Sequence, residues 1–254
     1  MKRLSLSILL ALIFLGGCAT DTARKSEETQ SVSAAYTRLG LEYLQAGDTQ
    51  SAKNALQKAL SLAPHDAEAH HGLALSFQLE GEKALAEDYF LKATQFAPQS
   101  AMIHNNFGAF LFAEKRYELA CSELARATED PFYNRRSQAF ENLGRCYRLL
   151  NKAEAAVHAF ERALQISPLR VISLIELSDL LIEQKKLTDA ERYFERFSEQ
   201  VDSRRVQHYA KSLWVGVRLA RYSGALSKAA TYALILKNMF PDSEEYRLYE
   251  ESAR

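Results

Sequence analysis

The chain has 254 residues, 47% of them hydrophobic and 25% charged, enough to bury a sizeable core. Its 32 basic side chains balance 32 acidic ones, which argues against a nucleic-acid coat or a polybasic membrane patch. Only 10 glycines and five prolines break it up, so the composition predicts an all-α fold.

The first element is a leader. Met1, Lys2 and Arg3 make a positive start, and residues 4–14 form an apolar run of 11 residues. A bilayer-spanning helix takes about 20 residues, so residues 1–17 read as a secretory signal peptide. The run ends in Leu15, Gly16, Gly17 and Cys18. That order resembles a bacterial lipobox. The resemblance implies cleavage before Cys18, palmitate-type diacylation of its thiol and acylation of the new amino group. Cysteine is required because its thiolate is the nucleophile that takes the lipid. Several acyl chains hold a protein stably where one does so only marginally. Ala19, not an aspartate, follows Cys18. By resemblance to lipoprotein sorting signals, this implies the periplasmic face of the outer membrane.

Residues 18–32 are polar and aperiodic, and they read as a flexible lipidated tether. From Ser33 the chain repeats itself. Residues 33–66 map onto 67–100 at an offset of 34, placing Leu39 on Leu73, Leu56 on Phe90, Ala59 on Ala93 and Pro64 on Pro98. Further copies fall at 101–134 and 137–170, with weaker ones at 171–204 and 210–243. The steps lengthen to 36 near Asp130 and to 39 near Val201. In the fifth copy Phe197 stands where a small residue belongs. Period and residue types resemble the tetratricopeptide repeat. The resemblance implies a right-handed superhelix of about six helix pairs with a C-terminal capping helix, spanning 33–254. Small residues at position eight, such as Gly40, Gly108 and Gly144, let paired helices approach.

No catalytic motif is present: no phosphate loop, nucleophile elbow, zinc spacing or HExxH. The expectation is a protein without enzymatic activity, cofactor, metal, small-molecule substrate or nucleic acid. His70 and His104 share position four of adjacent repeats, but packing roles suit them better than a metal site. Cys121 and Cys146 fall on helices expected to be neighbours, so a disulfide and two buried thiols are both open.

What remains is a surface. In tetratricopeptide arrays the first helices of each repeat line a groove. The corresponding positions here include Leu41, Leu44, His71, Leu75, Leu79, Asn105, Phe112, Arg145 and Arg148. The early part is apolar for an exposed face, which marks a partner site unless curvature buries it. Arg145 and Arg148 are expected to pair with acidic residues of a partner peptide.

A narrower resemblance covers essentially the whole chain. Asn105, Asn106, Phe107 and Gly108, then Asp130, Pro131 and Tyr133, then Glu141, Asn142, Leu143 and Gly144 resemble motifs of the type IV pilus biogenesis lipoproteins, the PilF/PilW family. Some members carry a cysteine where Phe112 stands here, so Cys121 would have to replace it as the partner of Cys146. The resemblance implies a pilotin, which binds a secretin subunit and helps it reach or assemble in the outer membrane. A periplasmic adaptor for peptidoglycan enzymes or a protease would share anchor and fold.

Overall fold

The computed structural model describes residues 27–252. Cys18 and the leader lie outside them. The described chain is all helical and forms two compact units that divide between Ile103 and His104.

The first unit holds α1 (27–45), α2 (Thr49–Leu62), α3 (Ala67–Leu79) and α4 (Lys83–Phe96). Residues 27–32, expected in the tether, are already helical and belong to α1. The chain there has no glycine or proline to stop a helix once it is packed, and Ser33 in the next turn donates to the Ala59 carbonyl of α2 at 3.0 Å. Asp48 and Asp66 cap α2 and α3. The Asp48 carboxylate accepts from the Ser51 amide at 2.9 Å, and that of Asp66 from Glu68 and Ala69 at 3.0 and 3.1 Å. Leu56, Ala59, Ala69 and Leu73 are fully buried between the helices.

The second unit begins within α5 (Ala101–Ala113). It continues through α6 (Tyr117–Ala127), α7 (Arg136–Leu149), α8 (Ala153–Ile166), α9 (Val171–Glu183), α10 (Leu187–Asp202), α11 (Ala210–Tyr222), α12 (Leu226–Met239) and α13 (Glu244–Ser252). Each helix packs mainly on its sequence neighbours, with α9 also touching α7 and α11. Phe197 is fully buried rather than crowded. Its ring meets His208 at 5.5 Å and Tyr209 at 6.2 Å, both from the lengthened connection. The 39-residue step therefore supplies the space and partners that a small residue would not need. The 36-residue step forms the connection 128–135 between α6 and α7. Cys121 on α6 and Cys146 on α7 form a disulfide, with Cα atoms 5.6 Å apart. The last helix, α13, packs on α11 and α12, where Arg221 donates to Ser252 at 2.8 Å. Among the described residues no helix is long and apolar enough to cross a membrane.

Candidate partner-binding site

In the first unit α1 and α3 bring Leu41, Leu44 and Leu75 to a half-buried face, and Leu79 at its margin is 66% exposed. His71 does not join that face. It is buried at 3% exposure, its ring 6.0 Å from Phe90. Burial alone pushes its imidazole down to about 4, so it sits in the core as the neutral base. A cleft of about 1010 Å³ opens nearby, lined by Ser33, Ala34, Thr37, Leu41, Leu62 and Glu68 among others. Its floor is fixed by the Thr37 hydroxyl, which donates to the Asp66 carboxylate at 2.6 Å.

In the second unit three of the expected residues come together. Phe112 and Arg145 line a small cavity of about 120 Å³ with Ala109, Leu124 and Asn142. The Arg145 guanidinium carbon lies 5.3 Å above the Phe112 ring, and Tyr117 meets that ring edge-on at 5.4 Å. Arg145 is exposed and has no ion pair among the described residues, so its N–H groups face solvent. Asn105 is 4% exposed and cannot itself meet a partner. Its Oδ1 accepts from Asn142 Nδ2 at 3.3 Å, and Asn142 is the amide that reaches the cavity. The α6–α7 disulfide holds this corner, since Cys146 follows Arg145 directly.

Arg148 has a different task from Arg145. It pairs with Glu176 at 3.0 Å, with Glu183 at 2.9 Å, and with Asp179. Lys211 reaches Glu176 at 2.6 Å, and Arg218 pairs with Asp179. The expectation that Arg148 awaits acidic residues of a partner is corrected: α9 already supplies them. Below this network Glu141 is buried and accepts from Arg170 at 2.5 Å and from the Ser173 hydroxyl at 2.7 Å. The expected histidine roles are also local. His70 Nε2 lies 2.9 Å from the Pro64 carbonyl, and His104 Nδ1 is 2.6 Å from Glu123. Among the described residues no group of three or more His, Cys, Asp or Glu side chains could hold a metal.

Tetratricopeptide-repeat models match residues 37–101 and 143–204, and a second such model matches 99–169. A curated relative, the type IV pilus assembly protein PilF of Pseudomonas aeruginosa, is 36% identical over 252 residues, covering 98% of both chains. The chain belongs to the PilF/PilW family of tetratricopeptide-repeat proteins. An uncharacterized Haemophilus influenzae protein is 30% identical over 65% of this chain and 93% of its own. The solved structure of Pseudomonas aeruginosa PilF superposes with a TM-score of 0.78 over 90% of this chain and 99% of that one. PilW, described as a widely conserved type IV pilus biogenesis factor, superposes at 0.69 with 27% identity, over 86% and 98%. The quoted PilF/PilW-like motifs have a physical reading. Asn105 of the first bonds Asn142 of the third, and Asn142 lines the cavity beneath Arg145. Sequence reasoning missed Asn142 as a site residue; its place in the motif after Glu141 was the available signal.

Proposed function

We propose that this member of the PilF/PilW family is a pilotin of the type IV pilus system. It is an outer-membrane lipoprotein held by acyl chains on Cys18, and its repeats capture a secretin subunit and promote its placement and multimerisation. The observation that carries the reading is the 36% identity running along 98% of both this chain and PilF. The lipobox ending at Cys18 supports the anchor, and the Phe112–Arg145 cavity supports the contact. There a partner peptide lays an apolar side chain against Phe112 and Ala109. Asn142 satisfies a backbone group that loses water, and Arg145 meets a carboxylate. Tethering both proteins at one membrane raises effective concentration without any added contact. No bond is made or broken, and no cofactor is needed.

The test is a pull-down of the lipidated protein from outer membranes, in which the secretin is the expected companion. Recovery of peptidoglycan enzymes or a protease without secretin would replace this reading with an adaptor. The Cys18→Ser variant should lose stable membrane attachment and secretin assembly. Labelled palmitate appearing on that variant would overturn the anchor.

A further inference from the structure

The connection between α6 and α7 is a rigid display. The Asp130 carboxylate accepts from the Phe132 amide at 2.8 Å, and the Arg136 amide donates to the Tyr133 carbonyl at 3.0 Å. The Arg136 Nε donates to the Thr128 carbonyl at 2.8 Å, closing the connection at its base. The residue displayed is Phe132, 93% exposed, more than any other large hydrophobic among the described residues. An aromatic ring left in water gains the fold nothing.

The next connection on the same end of the stack repeats the arrangement. Each helix reverses the chain, so the α6–α7 and α8–α9 connections share one edge. In the latter Leu169 is 54% exposed after Pro168, with exposed Ile166 and Ile172 beside it. The two connections are joined through their neighbours: Ser167 Oγ lies 3.1 Å from Ser137 Oγ at the start of α7. Arg196 of α10 donates to the Pro168 carbonyl at 2.7 Å. Repeat geometry does not demand apolar tips. After Pro64, Pro98 and Pro241 the corresponding residues are His65, Gln99 and Asp242.

The surrounding charge is basic. Arg126 and Arg135 are exposed and have no ion pair among the described residues, and Arg136 stands beside them. The Asp130 carboxylate is turned onto the connection's own backbone, leaving Glu129 as the opposing charge. Apolar tips projecting past arginines match a bilayer interface. Rings enter the boundary between headgroups and acyl chains while guanidinium groups meet lipid phosphates.

We propose that the α6–α7 and α8–α9 connections form a membrane-contacting edge whose occupant is an anionic phospholipid surface. This rests on the lipid-anchored reading above. Cys18 lies nine residues before the first described residue, a tether of at most about 30 Å, so a bilayer is always close to the anchored chain.

The experiment uses the full-length lipidated protein in phosphatidylethanolamine–phosphatidylglycerol vesicles whose acyl chains are brominated near the headgroup. The chain has one tryptophan, Trp214, so the emission added by Phe132→Trp reports on position 132. Sedimentation with the vesicles reads the anchor. Loss of about half or more of the added emission, less without phosphatidylglycerol, is the expected result. A protein that sediments while its added emission stays unquenched overturns the edge and leaves the anchor standing. A protein that does not sediment overturns both. If quenching is absent and Phe132→Asp instead abolishes secretin recovery, the connection is a protein contact and the proposal falls. Phe132 packs on nothing, so unchanged thermal unfolding of both variants is the control.

Discussion

Replacing Gly108 with alanine tests the close approach of α5 to α6. A Cβ there would sit 2.6 Å from Leu124 Cγ, 3.0 Å from its Cδ2 and 3.1 Å from its backbone nitrogen. Ordinary carbon contacts lie near 3.5–4.0 Å. Leu124 is fully buried, and shifting its side chain toward the neighbouring cavity would leave its backbone nitrogen in place, so α5 and α6 must move apart. Overpacking of this kind costs about 1–3 kcal/mol, against which alanine returns about 1 kcal/mol of helix propensity. The expected net loss is at most about 2 kcal/mol, a fall in Tm of at most several degrees for a chain of this size. Urea unfolding followed by far-ultraviolet circular dichroism measures it. Leu124→Ala alone should cost about 2–5 kcal/mol. In the Gly108→Ala background it should cost at least about 1 kcal/mol less, because the clash leaves with the side chain. A Gly108→Ala protein more stable than the parent, or strictly additive single variants, would refute the reasoning.

Arg148→Ala should destabilise by about 1–2 kcal/mol, less than a fully buried pair because Asp179 keeps Arg218 and Lys211, and it should do so without a selective loss of partner binding. Arg145→Ala should leave the unfolding curve unchanged and weaken secretin capture, so the two variants separate in paired unfolding and binding assays. Phe112→Ala should lower secretin capture by about fivefold or more while the helical dichroism is retained. His71 is held near 4 in the folded state and titrates near 6.5 when unfolded, so the unfolded chain binds the extra proton. Its contribution is complete above about pH 6.5 and is lost as pH falls to about 4, by no more than about 3 kcal/mol. His71→Phe should flatten the stability profile in that window. Lys185 holds a φ of 59° in the turn between α9 and α10, where Gly47 and Gly81 stand in earlier repeats. Lys185→Gly should raise Tm slightly, by up to about 1 kcal/mol of relieved backbone strain.

The helix pairs were legible because the 34-residue period places small residues where helices touch. Gly40, Gly108 and Gly144 each face a large side chain within 3.0 Å of a would-be Cβ. The helix starts at Ala67, Ala101, Val171 and Ala210 coincide with the repeat starts for the same reason. What the period could not show was how residues on different repeats meet. Arg148 and Arg145 look alike in sequence, three residues apart on one helix. Only the stacking of α7 against α9 gives Arg148 its carboxylates and leaves Arg145 over Phe112. His71 occupies a groove position by register, yet it is buried beside Phe90, because register fixes direction and not depth. Phe197 looked like a flaw in the pattern until the longer connection supplied His208 and Tyr209 around it.

Members of a stack that touch mainly their neighbours act mechanically as links in series. Among the described residues the α6–α7 connection, eight residues from 128 to 135, is the longest between helices. Under a pull along the chain such a segment would be the first to pay out. The Cys121–Cys146 bond runs in parallel with it and bypasses it. A load therefore passes from α6 to α7 through a covalent shunt, even if the side-chain packing around it has given way. Arg145 stands one residue before that shunt, so a partner tugging on this arginine pulls against a bond to the preceding repeat.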